Sequence, residues 1–391
     1  MKYNFSDSVD RAGSSAIKTD PAAVKRSLGL NYYPDTISMW VADMDFVCAP
    51  EILEALNSRV KMATFGYSAI SDRYYETFAA WCGSRMGMQF DRQQVLYSNG
   101  TLSALRNVIR AFTAEGDGVI IQPPVYYPFS AITRECHRQV VENHLILGDD
   151  NRYSIDFDDF ERKCMDPRNK LFILCNPHNP IGQIWPTEDV EAMLDICRRN
   201  GVLLFSDEVH SDLVRGGESF TSTLKLDSSQ GVIVATAANK TFNLAGLHIT
   251  NLIIPDADVR KKLEDYRGET AITPFAHDAH IAAYGQCCEW VDELKSVLDE
   301  NINYMDNFIR CHMPKVRFNP PQGTYLTWLD FRAYGLSEQA LLELCSEKAH
   351  VILEGGTMFS QHAEGFVRVN IACPKNVLIE ALDRLKLLFG E

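Results

Sequence analysis

Between about Val95 and Pro255 the chain alternates short apolar runs with stretches of helical period. The runs are VLYS, GVIIQ, QVVENHLI, LFILC, VLLFS, VIVAT and ITNLII. Short β-branched runs of this kind, apolar on successive residues, predict strands buried on both faces. Between them, Thr101–Thr113 and Glu188–Arg199 have the spacing of amphipathic helices. Thr187 is expected as the N-cap of the second, with Glu188 and Asp189 in its first turn. The alternation predicts a mostly parallel α/β sheet.

Beyond Pro255 the pattern changes. Helices are expected at about Asp256–Arg267 and Cys288–Cys311, followed by the extended stretch KVRFNPPQGTYLTWLDF. A helix near Ser337–Ala349, the runs VILEGG and GFVRVNIAC, and a closing amphipathic helix complete the chain. This reads as a smaller α+β domain after a large one. The expected division is an N-terminal segment, 1–48, packing on the small domain, then a large domain, 49–285, and a small domain, 286–391.

Composition adds boundaries rather than detail. The 391 residues are 46% hydrophobic and 23% charged, with no low-complexity tract, an ordinary globular balance with length for two domains. A formal net charge of -14 without any basic block argues against nucleic acid and anionic membrane as partners. The polar N-terminus lacks the apolar core of a signal peptide. No apolar run approaches the roughly 18 residues of a membrane span. Eleven cysteines without a C-x-x-C pair read as reduced core thiols rather than a disulfide framework or zinc site. A cytoplasmic protein is expected.

Ligands in open α/β sheets bind beyond the carboxyl ends of the strands, and here those ends are chemically distinctive. VLYS leads into Asn99-Gly100-Thr101 at a helix start, GVIIQ into PPVYYPF, and LFILC into NPHNPIG. VLLFS leads into Asp207-Glu208-Val209-His210, and VIVAT into Lys240 among Ala237, Ala238 and Gly246. One sheet edge would thus present backbone amides, an aromatic ring, a side-chain amide, a carboxylate and an amine. That set suits a small planar cofactor with an anionic end. Desolvation beside small residues lowers a lysine's pKa, which makes it a nucleophile and a general base.

Six stretches in order across nearly the whole chain carry a resemblance: MWVADMDF (39–46), FGYS (65–68), NPHNPIG (176–182), SDEVHSDL (206–213), NKTFNLAGL (239–247) and FVRVNIACP (366–374). Together they resemble the fold-type I enzymes of pyridoxal 5'-phosphate (PLP) in the class I/II aminotransferase superfamily. Within it they look like the C–S lyase branch, the cystathionine β-lyase and PatB/MalY-type proteins. The resemblance implies an aspartate aminotransferase-like fold, with a mostly parallel seven-stranded sheet flanked by helices in the large domain.

It also implies roles. Lys240 would bond the cofactor's aldehyde and later remove the substrate's Cα proton. Asp207 would pair with the pyridine nitrogen. Unit charges about 4 Å apart at an effective dielectric of about 20 interact by about 4 kcal/mol, about three pKa units, sufficient to keep that nitrogen protonated. Glu208 would face the other way, as a structural residue. Asn179 would bond the ring's 3-oxygen, with one Asn-Pro bond cis. His210 either shares that contact or is a core histidine. Tyr126 would stack on the ring, with Tyr127 as the alternative if the register is shifted by one. Gly100, Thr101 and Leu102 would cradle the phosphate at a helix N-terminus. Tyr67 would reach the phosphate of the neighbouring subunit in a homodimer, its alternative being a core aromatic. Arg368 would hold the substrate's α-carboxylate, or else sit in a buried ion pair.

Three positions depart from the aminotransferase pattern. His248 stands where an arginine usually follows the lysine by eight residues, and Ala237 where serine is common. Asn239, counted here with the cofactor contacts, stands where lyase relatives tend to have serine. Phosphate contacts at 237, 239 and 248 therefore stay open. The expected reaction is α,β-elimination of cystathionine, cysteine or related S-substituted amino acids to thiol, pyruvate and ammonia. The alternatives are an aminotransferase, or a regulatory protein retaining the scaffold. VLLFSDE resembles an ATPase strand, but no G-x-x-x-x-G-K-[ST] loop accompanies it. His178, Asp207, Glu208 and His210 fit no strong zinc spacing, so no metal is expected.

Overall fold

The computed structural model describes residues 1–226 and 230–390. Seven strands form the main sheet: β1 (Val95–Asn99), β2 (Gly118–Ile121), β3 (Gln139–Glu142), β4 (Asn169–Cys175), β5 (Leu203–Asp207), β6 (Val232–Thr236) and β7 (Ile249–Ile253). Their order is β1-β7-β6-β5-β4-β2-β3. The sheet is parallel from β6 to β3, while β7 runs antiparallel to both of its neighbours. Every apolar run of the sequence supplies a strand. Of QVVENHLI only the first half joins the sheet, as its edge, and Ile146–Leu147 pairs with Tyr153–Ser154 instead.

β5 and β6 are buried at every position, because helices cover both faces. Alternate residues divide between two cores, as the period of a strand requires. Leu171, Ile173, Phe205 and Ile233 face one, with Leu105 and Ile109 of the helix Thr101–Phe112. Phe172, Leu174, Leu204 and Val234 face the other, with Phe242 and Trp290.

The helices at Thr101–Phe112, Ala257–Arg267, Cys288–His312 and Lys375–Phe389 lie where the period places them. That near Ser337 runs from Glu338 to Leu344 and closes in a π turn over Cys345–Ala349. Thr187 is not an N-cap. The helix Thr187–Arg199 begins at Thr187 itself, behind Pro186 with φ -51° and no side-chain cap. The proline ring fixes the entry dihedral, and the Thr187 hydroxyl is turned to Thr221 Oγ1 at 2.8 Å. Helices Pro50–Met62, Asp72–Met86 and Pro274–Gln286 have no counterpart in the periodicity read from the sequence.

A second, antiparallel sheet follows: β8 (Arg317–Phe318), β9 (Leu326–Asp330), β10 (Glu354–Gly355) and β11 (Phe366–Asn370), in the order β8-β9-β11-β10. The N-terminal residues lie across this later part of the chain. Tyr3 N donates to Glu293, and Ile37–Ser38 pairs in parallel with Val351–Ile352. Buried Lys18 donates to Asp43 O and Asp45 Oδ2, and Arg11 makes a forked bond to Asp43. These contacts fix the loop 40–46 over the edge of the main sheet.

Candidate active site

The carboxyl ends of β1, β4, β5 and β6 meet at a cavity of about 290 Å³. In-register pairing of Asp207 with Cys175 and with Ala235 puts the ends of these strands level. Gly100, Thr101, Leu102, Tyr126, Asn179, Asp207, His210, Asn239 and Lys240 all line this cavity.

Lys240 is carried by the single turn Ala238–Thr241 that follows β6. Its Nζ donates to Ala42 O at 2.7 Å, a contact with the N-terminal loop. Desolvation, helped by the charge of Arg368, lowers its pKa to about 8, against the pull of Asp43, Asp207 and Glu354. Asp207 is buried, and its Oδ1 accepts from Val209 N at 3.3 Å. Burial pushes its pKa up to about 7, with Glu208 adding to the rise and Lys240 opposing it. A buried carboxyl with that one side-chain hydrogen bond among the described residues fits a protonated ring nitrogen, which would restore its charge. Glu208 faces away, accepting from Ser206 Oγ, Thr223 N and Thr223 Oγ1 at 2.8–2.9 Å.

Gly100 leads from β1 into the helix with φ 91°, a left-handed conformation that suits glycine, and a Cβ there would lie 3.5 Å from the His248 ring. The amides of Thr101 and Leu102 open that helix and have no intrahelical acceptor. An anionic end of a ligand fits here. His248 also lines the cavity, because the antiparallel β7 starts at the edge where its neighbours finish. Asn239 Oδ1 accepts from Ile249 N at 3.0 Å, fixing that start. Ala237 lies buried beneath, outside the lining.

Both Asn176–Pro177 and Asn179–Pro180 are cis. Asn179 Oδ1 accepts from Arg368 Nη1 at 2.9 Å. His210 is buried, and its Nδ1 has no partner among the described residues. Burial holds its pKa well below the ordinary value, with the charges of Lys240 and Arg368 adding to the effect. Tyr126, not Tyr127, lines the cavity, its ring edge-on to Phe129 at 5.5 Å. Tyr67 lies outside the cavity and is fully exposed, so it is not a core aromatic of this chain. Among the described residues no cluster of His, Cys, Asp or Glu could hold a metal ion. His178 is buried, its ring nitrogens meet no partner of good hydrogen-bond geometry among the described residues, and burial lowers its pKa to about 3.

Comparison with known families decides what this arrangement belongs to. The family model for aminotransferase class I and II matches residues 34–385. The chain belongs to the class I and II aminotransferase family. Among curated relatives, cystathionine beta-lyase PatB of Bacillus subtilis is 38% identical over 388 residues, covering 98% of this chain and 99% of the relative. Protein MalY of Escherichia coli is 31% identical, covering 96% of each. Cystalysin from Treponema denticola, solved with a pyridoxal 5'-phosphate cofactor, superposes with a TM-score of 0.93 at 31% identity, covering 99% of this chain and 98% of that one. The architecture is the fold-type I, aspartate aminotransferase-like one, an α/β fold with a mixed seven-stranded sheet.

Around the aminotransferase-family site, three contributors escape a reading of the sequence. Ala42 O meets both Lys240 and the Tyr325 hydroxyl, the latter at 3.0 Å. Trp40 O accepts from Arg368 Nη2 at 3.0 Å. Glu354 forms a buried ion pair with Arg368, so the alternative anticipated for that arginine is present in the structure. The backbone acceptors leave no signal in a sequence. Glu354 does leave one: an acid within an apolar run, as anomalous there as Arg368 is in its own strand.

Proposed function

We propose that this protein is a PLP-dependent C–S β-lyase, converting cystathionine or related S-substituted cysteine-type amino acids and water to a thiol, pyruvate and ammonia. The observation that carries the reading is the convergence, in one cavity, of a Lys240 amine with a pKa of about 8 and the buried Asp207. When bound, pyridoxal phosphate supplies an aldehyde for Lys240 and a charged ring that delocalises the electrons freed at Cα.

The residues do the rest. Asp207 would hold the proton at the ring nitrogen, and Asn179 and His210 would serve the 3-oxygen. Tyr126 would stack on the ring, and the amides of Gly100, Thr101 and Leu102, with Asn239 beside them, would hold the phosphate. The protein's negative charge is screened beyond about 8 Å at physiological salt, while local charge-assisted hydrogen bonds contribute roughly 1.5–3 kcal/mol each. Arg368 receives the α-carboxylate. Lys240, oriented by Ala42 O, moves the Cα proton, since with a pKa of about 8 its amine stays basic while a substantial fraction of it is uncharged near that pH. The lyase names of relatives matched over nine-tenths or more of their length support elimination over transfer.

A homodimer with a site shared across its interface would give the exposed Tyr67 a place at the neighbouring site. Tyr67, Phe65, Met62 and Val60 are exposed together on and just after the helix Pro50–Met62, and a second copy of the chain would cover them. A cytoplasmic location accords with the eleven free cysteines.

The test is incubation of purified protein with cystathionine. Thiol and pyruvate should form without a keto-acid acceptor, and the yellow protein should bleach with borohydride. Lys240→Ala should abolish both covalent attachment and turnover. Product formation only with an acceptor would assign an aminotransferase, and a colourless, inert protein a regulatory role.

A further inference from the structure

Arg368 is already surrounded. Glu354 on β10 lies opposite it in register with β11, and their charged groups meet. Trp40 O takes Nη2, Asn179 Oδ1 takes Nη1, and the Phe359 ring lies 4.9 Å from the guanidinium. The side chains of the pair are 4% and 2% exposed, so water contributes little to either charge. The other ionisable groups facing Glu354 are Lys240, Tyr126 and Tyr127. Glu338, behind Gly355, is turned to Thr357 N.

On the reading that Arg368 receives the substrate's carboxylate, we propose that Glu354 is a positioning residue that holds Arg368 while the site is empty and competes with the incoming carboxylate, thereby setting substrate affinity. A buried arginine without a counter-ion is strongly unfavourable, and Glu354 removes that penalty before substrate arrives. A second carboxylate then places two anions on one cation in a desolvated site, where like charges repel strongly. Binding proceeds when Glu354 accepts a proton or turns away from the guanidinium. Burial already biases its carboxyl toward the protonated form, with Arg368 and Lys240 opposing.

Propionate, a carboxylate without an amine, isolates this step. Its affinity for the cofactor-loaded enzyme is measured by titration calorimetry for wild type, Glu354→Gln and Arg368→Lys. Wild type should bind propionate more weakly as pH rises, taking up protons on binding, as read in two buffers of different ionisation heat. Glu354→Gln should bind roughly tenfold more tightly, with a flatter pH profile and a lower KM for substrate at little changed kcat. If Glu354→Gln binds propionate no better than wild type while Arg368→Lys abolishes binding, Arg368 is the carboxylate site and Glu354 only scaffolds it, which overturns the proposal alone. If Arg368→Lys leaves binding intact, the carboxylate reading fails, and the proposal with it. Should Glu354→Gln fail to fold, pH-independent propionate binding by the wild type would by itself overturn the proposal.

Discussion

Asp207 pays for its position in a way that can be measured without any turnover. Its carboxyl titrates near 3.8 when free and near 7 in the folded chain, because burial disfavours the charge. The folded state therefore binds the extra proton between those values. Below the lower one both states are protonated and no penalty exists; above the upper one the penalty is complete. Asp207→Asn should raise the melting temperature of the cofactor-free protein at about pH 8, by an amount corresponding to at most roughly 4 kcal/mol, and the gain should shrink toward pH 4. Scanning calorimetry across that range checks the sign. Equilibrium dialysis should show the same variant binding pyridoxal phosphate much more weakly. Lys240 and Asp207 were legible in the sequence because each charge interrupts or ends an apolar run. The partnership of Arg368 with Glu354 was not, since it depends on strand register between segments that share no local pattern.

The helix Thr101–Phe112 and the strand before it show what a single backbone conformation contributes at the level of elements. Gly100→Ala should strain the φ 91° junction by roughly 1–3 kcal/mol, its Cβ otherwise meeting the His248 ring at ordinary contact distance. Thermal unfolding with and without pyridoxal phosphate should show less stabilisation by the cofactor than in wild type. Unchanged stabilisation would remove this junction from the phosphate cradle. Strands read well from the sequence because burial on both faces leaves apolar runs with sharp ends. Some helices did not. In Pro50–Met62 only Ile52 is buried, while Leu53, Val60 and Met62 point outward, so no clean stripe appears. Pro274–Gln286 buries alanines on several sides and has no polar face to set a period. Thr187 has the side chain of a cap, but Pro186 occupies the cap position.

For the whole molecule, the proposal that a second copy covers the exposed side chains around Tyr67 can be tested directly. Sedimentation should give a dimer. Tyr67→Ala and Lys240→Ala, each inactive alone, should regain activity when refolded together, because a mixed pair contains one site with both residues intact. Persistent inactivity in demonstrated mixed dimers would place Tyr67 outside the neighbouring site. A different consequence follows from β7, which enters the sheet between β1 and β6 against their direction. It brings His248 to Gly100 from the far end of the sheet-forming region, so two walls of the same small chamber belong to segments synthesised far apart. Pairings of such long sequence separation close late. Recovery of cofactor capture after dilution from denaturant should accordingly trail the return of helical ellipticity, making colour a timer for the last strand to arrive.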